Sequence, residues 1–287
     1  MKVLIVNADD VGLSSAINEA VKRCCQDGVV TGVSVMPCGE QFSEGVEMLR
    51  EIGKTEAGVH LTLTGNFKPC IENRSLIISL VKKNGYFVSS YKSFATRYFL
   101  GKLITGDIYT ELERQIKKVR EAGLKITHLD SHEHVHMFPG VLKAVIRLAW
   151  KFEIPYIRLP KENLGIVKER FATKDLVRYA GLKMFTTSAE KTLSRSGIKH
   201  NDVFWGHFHS GRLDSGILCF MANNVTEGIN ELAVHPGIFS PELLEEFPWY
   251  RNAENEMEAL LKGRWKGLLE ARGGRLISHA EALDLEL

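Results

Sequence analysis

Four of the chain's ten histidines fall within nine residues, in the string THLDSHEHVHMFP at 127–139: His128, His132, His134 and His136, with Asp130 among them. Neutral imidazole is the commonest metal ligand, and histidine with carboxylate suits a catalytic ion that keeps positions open for water and substrate. A single histidine at a strand end often only hydrogen-bonds backbone, so the weight lies in the company this cluster keeps. Asp9 and Asp10 are adjacent near the start, His60, Arg158, His207, His209 and His235 are spread along the chain, and all sit at or just after apolar runs. An acidic pair alone is a weak signal, because such pairs also cap helices. On an extended strand, however, neighbouring side chains point to opposite sides, which predicts divided labour: one carboxylate ligates an ion while the other contacts something else. Phosphate loops of the form G-x-x-x-x-G-K-[ST] or G-x-G-x-x-G and a G-x-S-x-G elbow do not occur, so nucleotide hydrolysis and serine-nucleophile chemistry lose support.

Short β-type runs alternate with longer helical patterns, and this alternation must supply the positions. Strands are predicted at 2–7, 29–36, 58–64, 125–130, 156–159, 203–205, 231–235 and 275–278. Helices are predicted from Ser14 or Ser15 to Gly28, and over 42–52, 108–122, 141–150 and 254–271. The polar residues named above then cluster at the C-terminal ends of strands, which share one face in a parallel barrel, the face where such barrels build active sites. Seven or eight parallel strands without a linker or repeat predict an α/β fold, a single-domain TIM-like (β/α) barrel over 1–287, with a doubly wound sheet as the alternative. A stretch at about 65–107 interrupts the alternation with Phe67, Tyr86, Phe87, Tyr91, Phe94, Tyr98 and Phe99. It reads either as a local core under an excursion from the barrel or as a lid whose aromatic faces cover substrate.

The chain is 287 residues long, 44% hydrophobic and 25% charged, as expected of a globular protein. Lys and Arg number 37 against 35 Asp and Glu, so a net charge of +2 offers no footprint for nucleic acid or an anionic membrane. No apolar run approaches the ~18 residues of a membrane span, and the run at 3–6 is too short for a signal peptide. Five cysteines, odd in number and without a C-x-x-C pair, suggest reduced thiols in a cytoplasmic protein.

The strings VNADDVGLS (6–14), GVHL (58–61), THLDSH (127–132) and VHP (234–236) resemble, in order and spacing, the YdjC-like (ChbG-type) carbohydrate deacetylase family. Val11 stands where the family pattern has Phe, and Glu133 where it has His or Gln. The resemblance implies a barrel-type, metal-dependent deacetylase of N-acetylated amino sugars, either chitooligosaccharides or N-acetylglucosaminyl glycosides and glycolipids. It implies Asp10, His60 and His132 as ligands of one divalent ion, Asp9 as general base and His235 as general acid. Arg158, within IRLP, resembles the arginine that orients the catalytic carboxylate in polysaccharide deacetylases. His128, Asp130, His134 and His136 would support these groups or contact substrate. The family suggests Mg2+ and a homodimer, whereas one carboxylate with two imidazoles also suits Zn2+ or another transition ion. Two other readings stand beside it: a different metal-dependent hydrolase or sugar isomerase on the same barrel, and a binding protein with a closed structural metal.

Overall fold

β1 (Lys2–Val11) is buried from Val3 onward and sits at the centre of the sheet, as its unbroken apolar start requires. A computed structural model describes residues 1–162 and 173–285, with the backbone alone for 173–179. The remaining strands are β2 (Gly32–Val35), β3 (Glu56–Leu61), β4 (Lys125–Ser131), β5 (Val203–Trp205), β6 (Gly228–Val234) and β7 (Gly274–Leu276). All pairings are parallel, in the order β4-β3-β2-β1-β6-β5, and β7 pairs with the first residues of β1. The expected strand at 156–159 is instead an extended segment carrying two isolated bridges. It nonetheless spans the space between β4 and β5: the Arg158 N–H donates to Leu129 O, the Ile157 N–H to Lys199 O and the Phe204 N–H to Lys161 O. Parallel hydrogen bonding thus continues from β4 through this segment to β5 and β6.

The helices that follow the strands are α1 (Ser15–Gln26), α2 (Phe42–Glu51), α3 (Tyr91–Phe99), α4 (Thr105–Glu121), α5 (Pro139–Phe152), α6 (Thr173–Ser196), α7 (Ser215–Asn224), α8 (Pro241–Glu246), α9 (Ala253–Lys262), α10 (Trp265–Ala271) and α11 (His279–Leu283). α1 begins where Ser14 Oγ accepts the Ile17 N–H, and it buries Ile17, Val21 and Cys24 at helical spacing. The single helix expected over 254–271 is two, α9 and α10. Gly263 turns to extended backbone between them, and its Cα lies so close to the Trp265 ring and Ala259 O that any Cβ there would clash. The described residues include no helix long and apolar enough to cross a membrane.

The stretch after β3 packs rather than floats. Phe67, Phe87 and Phe94 are buried in the main core, with Phe94 and Tyr98 against Phe138. Only Phe99, at 66% exposed, turns outward.

Candidate active site

Arg158 is fully buried and organises the centre of the molecule. Its Nη1 and Nη2 donate to Asp9 Oδ2 and Oδ1 at 2.7 and 2.8 Å, Nη2 lies 2.9 Å from Asp130 Oδ2, and Nε donates to Glu231 Oε1 at 2.5 Å. Burial alone raises the Asp9 pKa, but the guanidinium, with His60 and His235 behind it, holds that carboxyl well below the usual range. Glu231 is likewise brought down to about 2 against its burial, chiefly by Arg158 and then by His279. Asn7 Nδ2 donates to Asp9 Oδ1 at 2.8 Å and to Ser34 Oγ at 2.9 Å, and Ser34 Oγ donates to Asp130 Oδ2 at 2.8 Å. Asp9 is therefore ionised and fixed in orientation by three hydrogen bonds, two from Arg158 and one from Asn7.

Asp130 passes this order forward. Its Oδ1 accepts from His60 Nδ1 at 3.0 Å, and that bond assigns the proton to Nδ1 and aims Nε2 at Asp10. Asp10 Oδ1 lies 3.3 Å from His60 Nε2 and 3.5 Å from His132 Nδ1, yet this buried oxygen has no hydrogen-bond donor. Asp10 Oδ2 accepts from Tyr250 Oη at 2.6 Å, which fixes the carboxylate plane. The ligand atoms of Asp10, His60 and His132 all lie within 4.8 Å of one another. An unsatisfied carboxylate oxygen facing two imidazole nitrogens is the arrangement that a divalent cation resolves, so these residues fit one. Asp9, His60 and Asp130 also approach within 4.8 Å, but there Arg158 already neutralises both carboxylates. Burial opposes a charge on His60, but Asp130, Asp9 and Asp10 together push it up to about 9, so a proton sits there when no cation does.

Adjacent carboxylates on a regular strand would face apart, as expected from the sequence; here both line one cavity. The cause is local. The β1–β2 register shifts between Ala8 and Val11, and Asp10 adopts a left-handed φ of 63°, which swings its side chain back to the cavity side. The division of contacts survives: Asp9 meets Arg158 and Asp10 meets the two imidazoles.

The cavity, about 320 Å³, is also lined by Glu133, His134, His207, His235, Trp249, Tyr250 and Glu256. Glu133 and His134 both take left-handed φ, at 54° and 55°. His235 Nε2 is 3.9 Å from Asp9 Oδ2, and the His235 N–H donates to the buried Glu256 Oε1 at 2.6 Å. His134 sits edge-on to Phe204 and beside His207, its pKa lowered by burial. His128 and His136 do not reach the cavity. His128 hydrogen-bonds Ser34 and stacks on His279, and His136 lies between Ser131 Oγ and the Arg158 carbonyl; burial lowers both pKa values. None of the seven aromatics of the 65–107 stretch lines the cavity, although Phe67 lies edge-on to His132, 5.7 Å between ring centres.

Sequence reasoning missed Asn7, Ser34, Glu231, Trp249, Tyr250 and Glu256. Glu231 carried a usable signal, since a carboxylate inside the apolar strand INELAV needs a buried cation. Trp249 and Tyr250 carried none, because a short turn at Pro248–Asn252 brings them from far along the chain.

The YdjC-like protein family model matches residues 3–271. The chain belongs to that family. Among its YdjC-like relatives, a carbohydrate deacetylase of Brevibacillus brevis is 34% identical over 97% of this chain and 98% of its own length. A carbohydrate deacetylase of Thermoanaerobacter pseudethanolicus is 27% identical, covering 91% of both. A crystal structure of a proposed cellobiose-phosphate cleavage protein from Enterococcus faecalis superposes with a TM-score of 0.78 at 26% identity, over 98% of each chain.

Proposed function

We propose that this chain is a metal-dependent carbohydrate deacetylase that hydrolyses the acetamido group of an N-acetylated amino sugar. The observation that carries the reading is Asp10 Oδ1, buried and without a donor, facing His60 and His132. These three residues hold one divalent ion, and their single carboxylate and two imidazoles favour Zn2+ or another transition ion over Mg2+, which prefers oxygen ligands. When bound, such an ion supplies Lewis acidity toward the acetyl carbonyl and toward water. Asp9 takes the proton from the attacking water, kept ionised and aimed by Arg158. His235, on the same wall of the cavity, delivers a proton to the departing amine, which leaves poorly as an anion. Trp249, half exposed beside Tyr250, offers an aromatic face to a sugar ring. The relatives' activity and the cavity, of a size that takes a small ligand, support the same reading.

The test is amine release from N-acetylglucosamine, chitooligosaccharides and a lipid-linked N-acetylglucosaminide, before and after chelation and after reloading with Zn2+, Co2+, Mn2+, Ni2+ or Mg2+. Release that disappears on chelation and returns with an ion is expected. Full release by the metal-free protein would overturn the reading.

A further inference from the structure

Cys38 and Cys70 are 32 residues apart in sequence, yet their sulfur atoms touch at 3.6 Å. They are the only such pair among the described cysteines; burial pushes the Cys38 thiol well above its ordinary value, as it pushes Cys24 to about 12 and Cys25 to about 11, so the sulfur contact and not a lowered pKa sets this pair apart. As residues, Cys38 and Cys70 are both partly exposed. Their backbones are held. The Cys70 N–H donates to Glu111 Oε1 at 2.8 Å and the Ile71 N–H to Glu111 Oε2 at 3.0 Å, while Lys118 Nζ donates to the Pro37 carbonyl at 2.6 Å. Bond formation moves the sulfurs about 1.5 Å closer, to a disulfide length of about 2 Å.

We propose that Cys38 and Cys70 form a reversible disulfide that staples the loop after β2 to the excursion after β3. With a peroxide as oxidant, one thiol is oxidised to a sulfenic acid and one water leaves. The second thiol then attacks that sulfur, a second water leaves and the S–S bond forms, so one peroxide is reduced for two thiols oxidised. A dithiol reductant restores both thiols. The bond joins a loop whose Gly39 packs directly on Gly12 to an excursion whose Phe67 packs edge-on to His132.

The test treats the folded protein with stoichiometric hydrogen peroxide and then alkylates, digests and maps it by mass. A Cys38–Cys70 peptide lighter by two hydrogens, reversed by dithiothreitol, with Cys24, Cys25 and Cys219 still alkylated, is expected. Cys70→Ser should then leave Cys38 as a sulfenic acid trapped by dimedone, and Cys38→Ser should do the reverse. Cleavage of residues 72–104 by a protease should slow in the oxidised wild type but not in either variant. Cys38 and Cys70 that both remain alkylatable, or that over-oxidise separately without linking, would overturn the proposal.

Discussion

Arg158 and Asp10 lie on opposite sides of the same few residues, and their surroundings differ in kind. Around Arg158 each buried charge has a partner at hydrogen-bond distance: Asp9, Asp130 and Glu231 all pair with one guanidinium. Around Asp10, three ligand atoms converge and one oxygen has no donor. The paired region supplies order, and the unpaired region is held open by it, through the single Asp130–His60 bond. A site of this design is made rigid from behind so that its front can remain unsatisfied until an ion arrives.

Breaking the paired side should have the largest effect. Arg158→Met removes the guanidinium that three buried carboxylates share, so urea unfolding should show a loss of about 3–5 kcal/mol. A loss under about 1 kcal/mol would mean that the cluster is not the organising element. Asp10→Asn attacks the unpaired side instead. Zn2+ affinity measured by competition with a chromogenic chelator should fall more than about 100-fold, while the metal-free protein unfolds at the same urea concentration or higher. Asp9→Asn lies at the boundary: metal content by elemental analysis stays, and kcat for amine release drops roughly 10²- to 10⁴-fold. An ion lost from Asp9→Asn and kept by Asp10→Asn would exchange the two roles.

Acidity separates the regions more gently. Glu231, lowered from 4.5 to about 2, contributes stability that is present above pH 4.5 and lost as pH falls through 2. His60, raised from 6.5 to about 9, contributes stability that is present below pH 6.5 and lost as pH rises through 9. Chelator-treated protein should therefore be most stable between these limits, and bound ion should flatten the alkaline fall, because a ligating imidazole carries no proton to lose. Thermal melts across the pH range, with and without chelator, read this out. Ser34→Ala should have the smallest effect, about 1 kcal/mol, by leaving Asn7, His128 and Asp130 each one bond short.

The alternation of strands and helices was legible because β1 and β6 carry apolar stretches, VLIV and LAV, next to helical patterns, and parallel pairing follows from helices between strands. The extended course of 156–159 was legible as well, but its reduction to isolated bridges was not, since these depend on Lys199 and Leu129, partners that no local pattern reveals. The histidine cluster pointed to the right end of the barrel but not to the separate tasks of its members. His132 faces the cavity and His136 lies behind it because Glu133 and His134 reverse the backbone, a conformation that non-glycine residue types do not advertise. The same holds for Asp10. Asn7 and Ser34 were invisible, because a single buried polar residue on a strand declares a need for a partner but not its identity, whereas the carboxylate of Glu231 at least declares the need for a buried cation.

Those three left-handed residues bear on how this protein would respond to selection. Asp10, Glu133 and His134 each hold a conformation costing of order 1 kcal/mol that glycine would adopt freely. A laboratory screen for heat tolerance alone would therefore enrich glycine or asparagine at 133, where the side chain is not proposed as a ligand, and in doing so would loosen the hinge that sets His132 apart from His136. Variants recovered that way should outlast the parent in a heat challenge and yet trail it in turnover, so that robustness and catalysis compete at position 133.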